Sequence, residues 1–170
     1  MKEISFRNDV LPLKNKLYRL ALRITLDTAE AEDVVQETFV RVWNKREDMA
    51  DLRSVEAFCL TVCRNLALDK AESKVSHHDS IEDVGGNISD TASTPFEVLA
   101  NDERLQTVHR LFNQLPEGQR TVMQLRDIEG YSYKEIAAVL GWSEDQVKVT
   151  LFRARRQVRA AYEKIENYGL

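Results

Sequence analysis

The chain is poor in the residues that interrupt helices, with three prolines and six glycines among 170 residues. Proline removes a backbone donor and glycine adds backbone freedom, so their scarcity leaves long stretches free to be helical. No apolar run is long enough to span a bilayer, and the N-terminus (MKEISFRNDV) lacks the apolar centre of a secretory signal. These absences predict a cytoplasmic protein without membrane insertion. Cysteine is scarce too: Cys59 and Cys63 are the only two, four apart in a helical pattern, followed by His77 and His78. Cys59 shares a face with Val55, Val62 and Leu66, with Cys63 at its shoulder, so the pair is expected as small buried thiols in a reduced compartment. An enzyme or metalloprotein built on Cys59, Cys63, His77, His78 and His109 would need a nucleophile–base pair, a phosphate loop or a closer ligand spacing, and the sequence offers none of these. No catalytic residue, metal or cofactor is expected.

Net positive charge is also missing. The formal charge is −4, unevenly spread: residues 1–72 carry twelve bases and thirteen acids, residues 73–115 three and seven, and residues 116–170 nine and eight. The middle segment therefore holds the whole acidic excess. A nucleic-acid binder with so little net positive charge binds weakly alone and leans on a partner.

What is present is a run of helix signals, densest between Gly130 and Ile165. Ser132 is followed three residues on by Glu135, and Ser143 by Gln146, two capping boxes that mark helix starts. Gly130 and Gly141 stand where the preceding helices must stop. Only Gly141, Trp142 and Ser143 separate the last two helices, the spacing of a helix-turn-helix. In the second helix Val147, Leu151, Ala154, Val158, Ala161 and Ile165 form one apolar stripe. The opposite face carries Asp145, Val149, Phe152, Arg153 and Arg156, flanked by Lys148 and Arg159. From Lys148 to Lys164 there are six basic residues and one acid, which suits a helix lying against phosphates. Phe152, a large aromatic off the core stripe, is suited to a thymine methyl.

Upstream, Val10, Leu13, Leu17, Leu20, Ala21 and Ile24 predict a helix from Asp9 to about Leu26. Asp27 and Glu30 form a third capping box, opening a helix whose inward stripe is Ala31, Val34, Val35, Thr38, Phe39 and Val42. Its outward face shows Asp33, Gln36, Glu37, Val40 and Asn44. A polar loop is expected from Arg46 to Ser54, then a helix from about Val55 to Glu72. Leu60 and Leu68 fall outside that helix's main stripe, so it is either packed on two sides or part of a partner groove. Residues 73–95 (SKVSHHDSIEDVGGNISDTASTP) are acidic, rich in Ser, Asp, Gly and Thr, and lack periodicity, which predicts a flexible linker. Helicity resumes from Phe96 to Leu115, with Leu99, Leu105, Val108, Leu111 and Phe112 on one face. A further helix from Pro116 to Gly130 turns Val122, Leu125 and Ile128 inward. The fold class is thus all-α: two small helical domains, 1–72 and 96–170, joined by an acidic linker, the second a helix-turn-helix.

Three stretches carry a family resemblance: AEDVVQETFVRVW at 31–43, AFCLTVCRNLALDK at 57–70, and LPEGQRTVMQLRDIEGYSYKEIAAVLGWSEDQVKVTLFRARRQVR at 115–159. Together and in this order they resemble an alternative sigma factor of bacterial RNA polymerase, in the extracytoplasmic-function group of the sigma-seventy family. The resemblance implies that Asp33, Gln36, Glu37, Val40 and Asn44 dock on core RNA polymerase. It implies that Asp48, Met49, Ala50, Asp51, Leu52, Arg53 and Ser54, with Arg64 and Asn65, hold unstacked bases of the melted minus-ten promoter element. It places Lys148, Val149, Phe152 and Arg153 on bases of the duplex minus-thirty-five element, with Arg155, Arg156 and Arg159 on phosphates. The acidic linker corresponds to the segment that threads the RNA-exit path, and an anti-sigma factor is the expected further partner. Relatives often show a small polar residue and an arginine where Val149 and Thr150 stand, and a basic tail where AESKVSHH follows Lys70. A helix-turn-helix regulator that binds an operator unaided is the alternative reading.

Overall fold

Asp27 shows how the N-terminal helices are divided. In the computed structural model, which describes residues 4–49, 52–76 and 103–168, a helix α1 (Lys14–Thr25) stops at Leu26, whose φ of 57° lies in the left-handed region. Asp27 is extended, and its Oδ1 accepts from the Glu30 N–H at 3.0 Å to start α2 (Thr28–Asn44). The expected reciprocal half of that capping box does not form. The Asp27 N–H donates to Thr25 Oγ1 at 3.3 Å, and the Glu30 carboxylate lies 3.2 Å from Lys70 Nζ. A cation on a neighbouring helix attracts a carboxylate more strongly than a neutral amide does.

The chain divides into two compact units, with no strand among the described residues. In the first, a π-helical turn (Phe6–Val10) and a 3-10 turn (Leu11–Leu13, with Pro12) lead into α1. This entry is less regular than the single helix expected from Asp9, because Pro12 cannot donate the hydrogen bond an uninterrupted helix needs there. α3 (Leu52–Ser76) packs with α1 and α2 as a three-helix bundle. Its core is most of the stripe read from sequence: Val10, Leu17, Leu20, Ala21, Ile24, Ala31, Val34, Val35, Thr38 and Val42 are buried, with Val55, Cys59, Cys63 and Ala67 from α3, whereas Leu13, Phe39, Val62 and Leu66 are only half-buried. Leu60 is buried as well, so α3 is packed on two sides there. Both cysteines are free and buried. The Cys63 thiol donates to the Leu17 carbonyl at 3.3 Å, and burial pushes both thiols up to about 12.

α3 begins three residues earlier than expected and ends four later. Leu52–Ser54 are its first turn, leaving only the 3-10 turn Arg46–Asp48, Met49 and residues 50–51 as connection; the latter two lie outside the described residues. Residues 73–76, read as the start of the linker, are helical. There Lys74 Nζ reaches Asp27 Oδ2 at 2.8 Å, a tertiary partner that a local composition count does not register. The rest of the linker (77–95), both histidines within it, and residues 96–102 lie outside the described residues.

In the second unit, α4 (Glu103–Asn113) and α5 (Glu117–Met123) pack on each other and on α7 (Glu144–Tyr168). Leu111, Phe112, Val122 and Leu125 are buried as expected, and Leu115 with them, but Leu105 is 46% exposed and Val108 and Ile128 are only half-buried; Leu99 lies outside the described residues. α5 follows Pro116, which sits just before its first turn, and runs into a π-helical turn (Gln124–Ile128). Gly130 and Gly141 have φ of 81° and 72°, the left-handed conformation required at both helix ends. α6 (Tyr133–Leu140) lies between them, with Ile136, Ala137, Val139 and Leu140 buried; Ala138–Gly141 are grouped with the first unit.

Replacing Asp27 by Asn keeps a capping oxygen and removes the charge. Its carboxyl sits below the usual 3.8, first through the Lys74 hydrogen bond and then through the Glu30 N–H. Stability from a lowered carboxyl is present above the unfolded value and lost as pH falls through the folded one. Urea unfolding should therefore show D27N less stable than wild type at pH 7, with the gap closing as pH drops below about 4.

Candidate nucleic-acid interface

A serine cap opens each of α6 and α7. The Ser132 N–H donates to Glu135 Oε1 at 2.8 Å while Ser132 Oγ accepts from the Glu135 N–H at 3.0 Å, a complete capping box. Ser143 Oγ accepts from the Gln146 N–H at 3.1 Å, but the expected return bond to the Gln146 side chain does not form, so this cap is half a box. Between them Gly141 turns the chain and Trp142 lies against Gly118, where an added Cβ would stand 3.3 Å from the indole. Val147, Leu151 and Ala154 are buried; Val158, Ala161 and Ile165 are only half-buried, because the long α7 outruns the core.

That burial turns Lys148, Val149, Phe152, Arg153, Arg155, Arg156 and Arg159 outward, all exposed. Phe152 is 65% and Val149 47% exposed. Two of the seven are engaged within the unit. Arg155 forms a two-pronged pair with Asp127 of the π-helical turn, its Nε donating to Oδ2 at 3.1 Å and its Nη2 to Oδ1; this bond raises the arginine's basicity. Lys148 Nζ lies 5.5 Å from the centre of the Tyr133 ring, and the Arg126 guanidinium lies 4.5 Å from the same ring. Arg126 Nη1 also donates to the Tyr131 carbonyl at 2.9 Å. Arg155 thus braces α7 against the π-helical turn, a role that helical spacing alone does not reveal across 28 residues of sequence.

On the first unit, Asp33, Gln36, Glu37, Val40 and Asn44 are exposed along one side of α2. Val40 is 54% exposed, and Trp43, which the sequence reading left out of the face, is 47% exposed beside it. Trp43 is held edge-on by Phe6 at 5.8 Å, and the Arg46 guanidinium stacks 3.8 Å over it. A three-residue step from Val40 was the signal that could have found it. Asp33 Oδ2 stands 3.8 Å from Lys70 Nζ, and Glu37 pairs with Arg41 at 3.2 Å. On α3, Arg64 and Asn65 are successive residues, with Arg64 Nη1 donating to Asn65 Oδ1 at 3.4 Å. Arg64 Nε is buried without a hydrogen-bond partner. Asp48 is exposed and Met49 half-buried. Ala50 and Asp51 lie outside the described residues, as do the side chains of Leu52, Arg53 and Ser54.

A capped helix-turn-helix with a cationic outer helix, on a chain whose other unit is a three-helix bundle, defines a two-part helical DNA-binding protein. The family model for Sigma-70 region 2 matches residues 10–76, and that for Sigma-70 region 4 matches residues 105–158. The chain is 37% identical over 150 residues to the ECF RNA polymerase sigma factor SigL of Mycobacterium tuberculosis, covering 88% of this chain and 84% of that one. It is 30% identical over 164 residues to the RNA polymerase sigma-H factor of Pseudomonas aeruginosa, covering 92% and 85%. Among solved structures it is similar in fold to the sigma factor RpoE from Bartonella quintana, crystallised with the anti-sigma factor NepR. That match has a TM-score of 0.73 at 24% identity and covers 94% of this chain and 97% of that one. The chain belongs to the extracytoplasmic-function sigma factors of the sigma-70 family. It is a regulatory protein that binds core RNA polymerase and directs promoter-specific transcription initiation.

The Arg155–Asp127 pair is half-exposed, with side chains 46% and 26% accessible, so a modest coupling is expected. A double-mutant cycle of R155A and D127A by urea unfolding should give about 0.5 kcal/mol, within the usual range for surface pairs.

Proposed function

We propose that the two units divide promoter recognition between them. Residues 1–76 dock on the polymerase and hold the melted minus-ten element, residues 77–95 link, and residues 96–170 read the duplex minus-thirty-five element. The observation that carries this reading is the outer face of α7, where the buried stripe turns five free-standing side chains (Val149, Phe152, Arg153, Arg156, Arg159) to solvent behind a turn capped by Ser143. Val149, Phe152 and Arg153, with Lys148, face bases; Arg156 and Arg159 face phosphates. Arg155, tied to Asp127, sets the helix rather than gripping DNA.

On the first unit, Asp33, Gln36, Glu37, Val40 and Asn44, joined by Trp43, form the polymerase-docking face. Arg64 and Asn65 serve the unstacked strand with the segment 48–54, a pocket of helix edge and connection suited to bases splayed from a duplex. With a net charge of −4, the chain gains its hold on DNA from the polymerase. An anti-sigma factor is its expected antagonist, since RpoE is described with NepR and CnrH with the cytosolic domain of CnrY. It acts in the cytoplasm, without catalysis, metal or cofactor of its own; no helix among the described residues is long and apolar enough to cross a membrane.

Run-off transcription with core polymerase on a genomic promoter library tests the whole reading. New start sites that require the protein support it. Tight operator binding by the chain alone, with start sites unaltered, supports a stand-alone regulator instead. Within that assay R153A should cost about 1–3 kcal/mol of promoter discrimination, and unchanged transcription from every promoter removes Arg153 from the site. The pair D33A and Q36A should weaken retention of the protein on immobilised core polymerase while its circular dichroism stays unchanged.

A further inference from the structure

The π-helical turn ahead of α1 is closed by its own polar groups. The Ser5 N–H donates to Asp9 Oδ2 at 2.8 Å, the Asn8 N–H to Ser5 Oγ at 3.3 Å and the Asp9 N–H to the Ser5 carbonyl at 2.7 Å. The buried Val10 anchors its end. Phe6, the first residue of this turn, is half-buried and meets two rings of α2 edge-on. Phe39 lies at 5.4 Å and 78°, Trp43 at 5.8 Å and 88°. Edge-to-face contacts set the angle of a ring as well as burying it. A second hold on Trp43 comes from Arg46, whose guanidinium stacks on the indole and whose Nη1 donates to the Trp43 carbonyl at 2.7 Å. An indole in the last turn of a helix has several staggered rotamers open to it. This one is gripped from two sides, yet 47% of it faces solvent beside the exposed Val40. A ring that is held but uncovered suits a contact residue, because a partner meeting it does not have to order it first.

We propose that Phe6 is a positioning residue for polymerase docking: it holds Trp43 at the angle in which α2 presents it. The turn ahead of α1 thereby belongs to the docking face, although Phe6 acts through the indole and not on the polymerase. This rests on the docking reading of α2 and adds to it a residue from outside that helix.

The test measures binding of the full chain to core polymerase for F6A, W43A and the double variant. F6A should weaken binding about fivefold, the effect of leaving one large side chain to be ordered on association. W43A should weaken it as well, and F6A should then add nothing, because the ring it positions is gone. F6Y keeps the ring edge and should bind as wild type does. In free protein labelled with fluorotryptophan, F6A should shift the fluorine resonance of Trp43 and leave that of Trp142, the chain's other tryptophan, in place. If F6A loses helix content by circular dichroism, F6L, which keeps the bulk and removes the ring edge, replaces it in the cycle with the same expected result. An equal loss from the Phe6 change with and without Trp43 overturns the positioning role. Full binding by that variant while W43A is weakened overturns it too, and the docking face of α2 stands in both cases. Full binding by the Phe6 variant, by W43A and by the D33A and Q36A pair overturns the docking reading as well.

Discussion

Burial of Val147, Leu151 and Ala154 fixes the rotation of α7 about its own axis, and every outward residue follows from that. A helix has one angular degree of freedom once its axis is placed, and three deeply buried side chains on one stripe remove it. Rotating α7 by one residue would carry Phe152 toward the core and pull Leu151 out. The serine caps, the left-handed glycines and the Arg155–Asp127 pair each reinforce that setting from a different end: Ser143 fixes where the helix starts, Gly141 fixes its entry, and Arg155 fixes its middle against the π-helical turn.

The first unit obeys the same logic with different materials. Its helices are joined by a hydrophobic seam and rimmed by ion pairs: Lys16 with Glu56, Lys70 with Glu30, and Lys74 with Asp27. Surface pairs of this kind contribute little individually, so the seam does the holding and the rim selects which faces meet. Lys70 is shared between Glu30 and Asp33, so one cation on α3 ties the start of α2 to the beginning of its outward face. The side of α2 that carries Val40 and Trp43 is left uncovered within the unit.

Much of this was legible because it is local. Capping serines, left-handed glycines and stripes at helical spacing all act within a turn or two, so Ser132, Gly141 and Leu151 announce themselves in sequence. Where the reading missed, the cause lies at a distance. The bond of Arg155 to Asp127, far back in the chain, leaves no local mark. Residues 73–76 look like linker until Lys74 finds Asp27. Leu52–Ser54 read as loop because polar residues at a helix start resemble polar residues in a turn. The two π-helical turns leave no periodic trace at all, each being a single extra residue's worth of slack.

Cys59 and Cys63 carry a consequence for how the protein receives information. Both thiols are sealed in the bundle and held in the protonated form far above neutral pH. Peroxide and electrophiles react with thiolate, and with thiolate that they can reach. These two sulfurs therefore make poor oxidant sensors, and a redox alarm, if this sigma factor answers one, has to be sounded by another molecule and relayed to it.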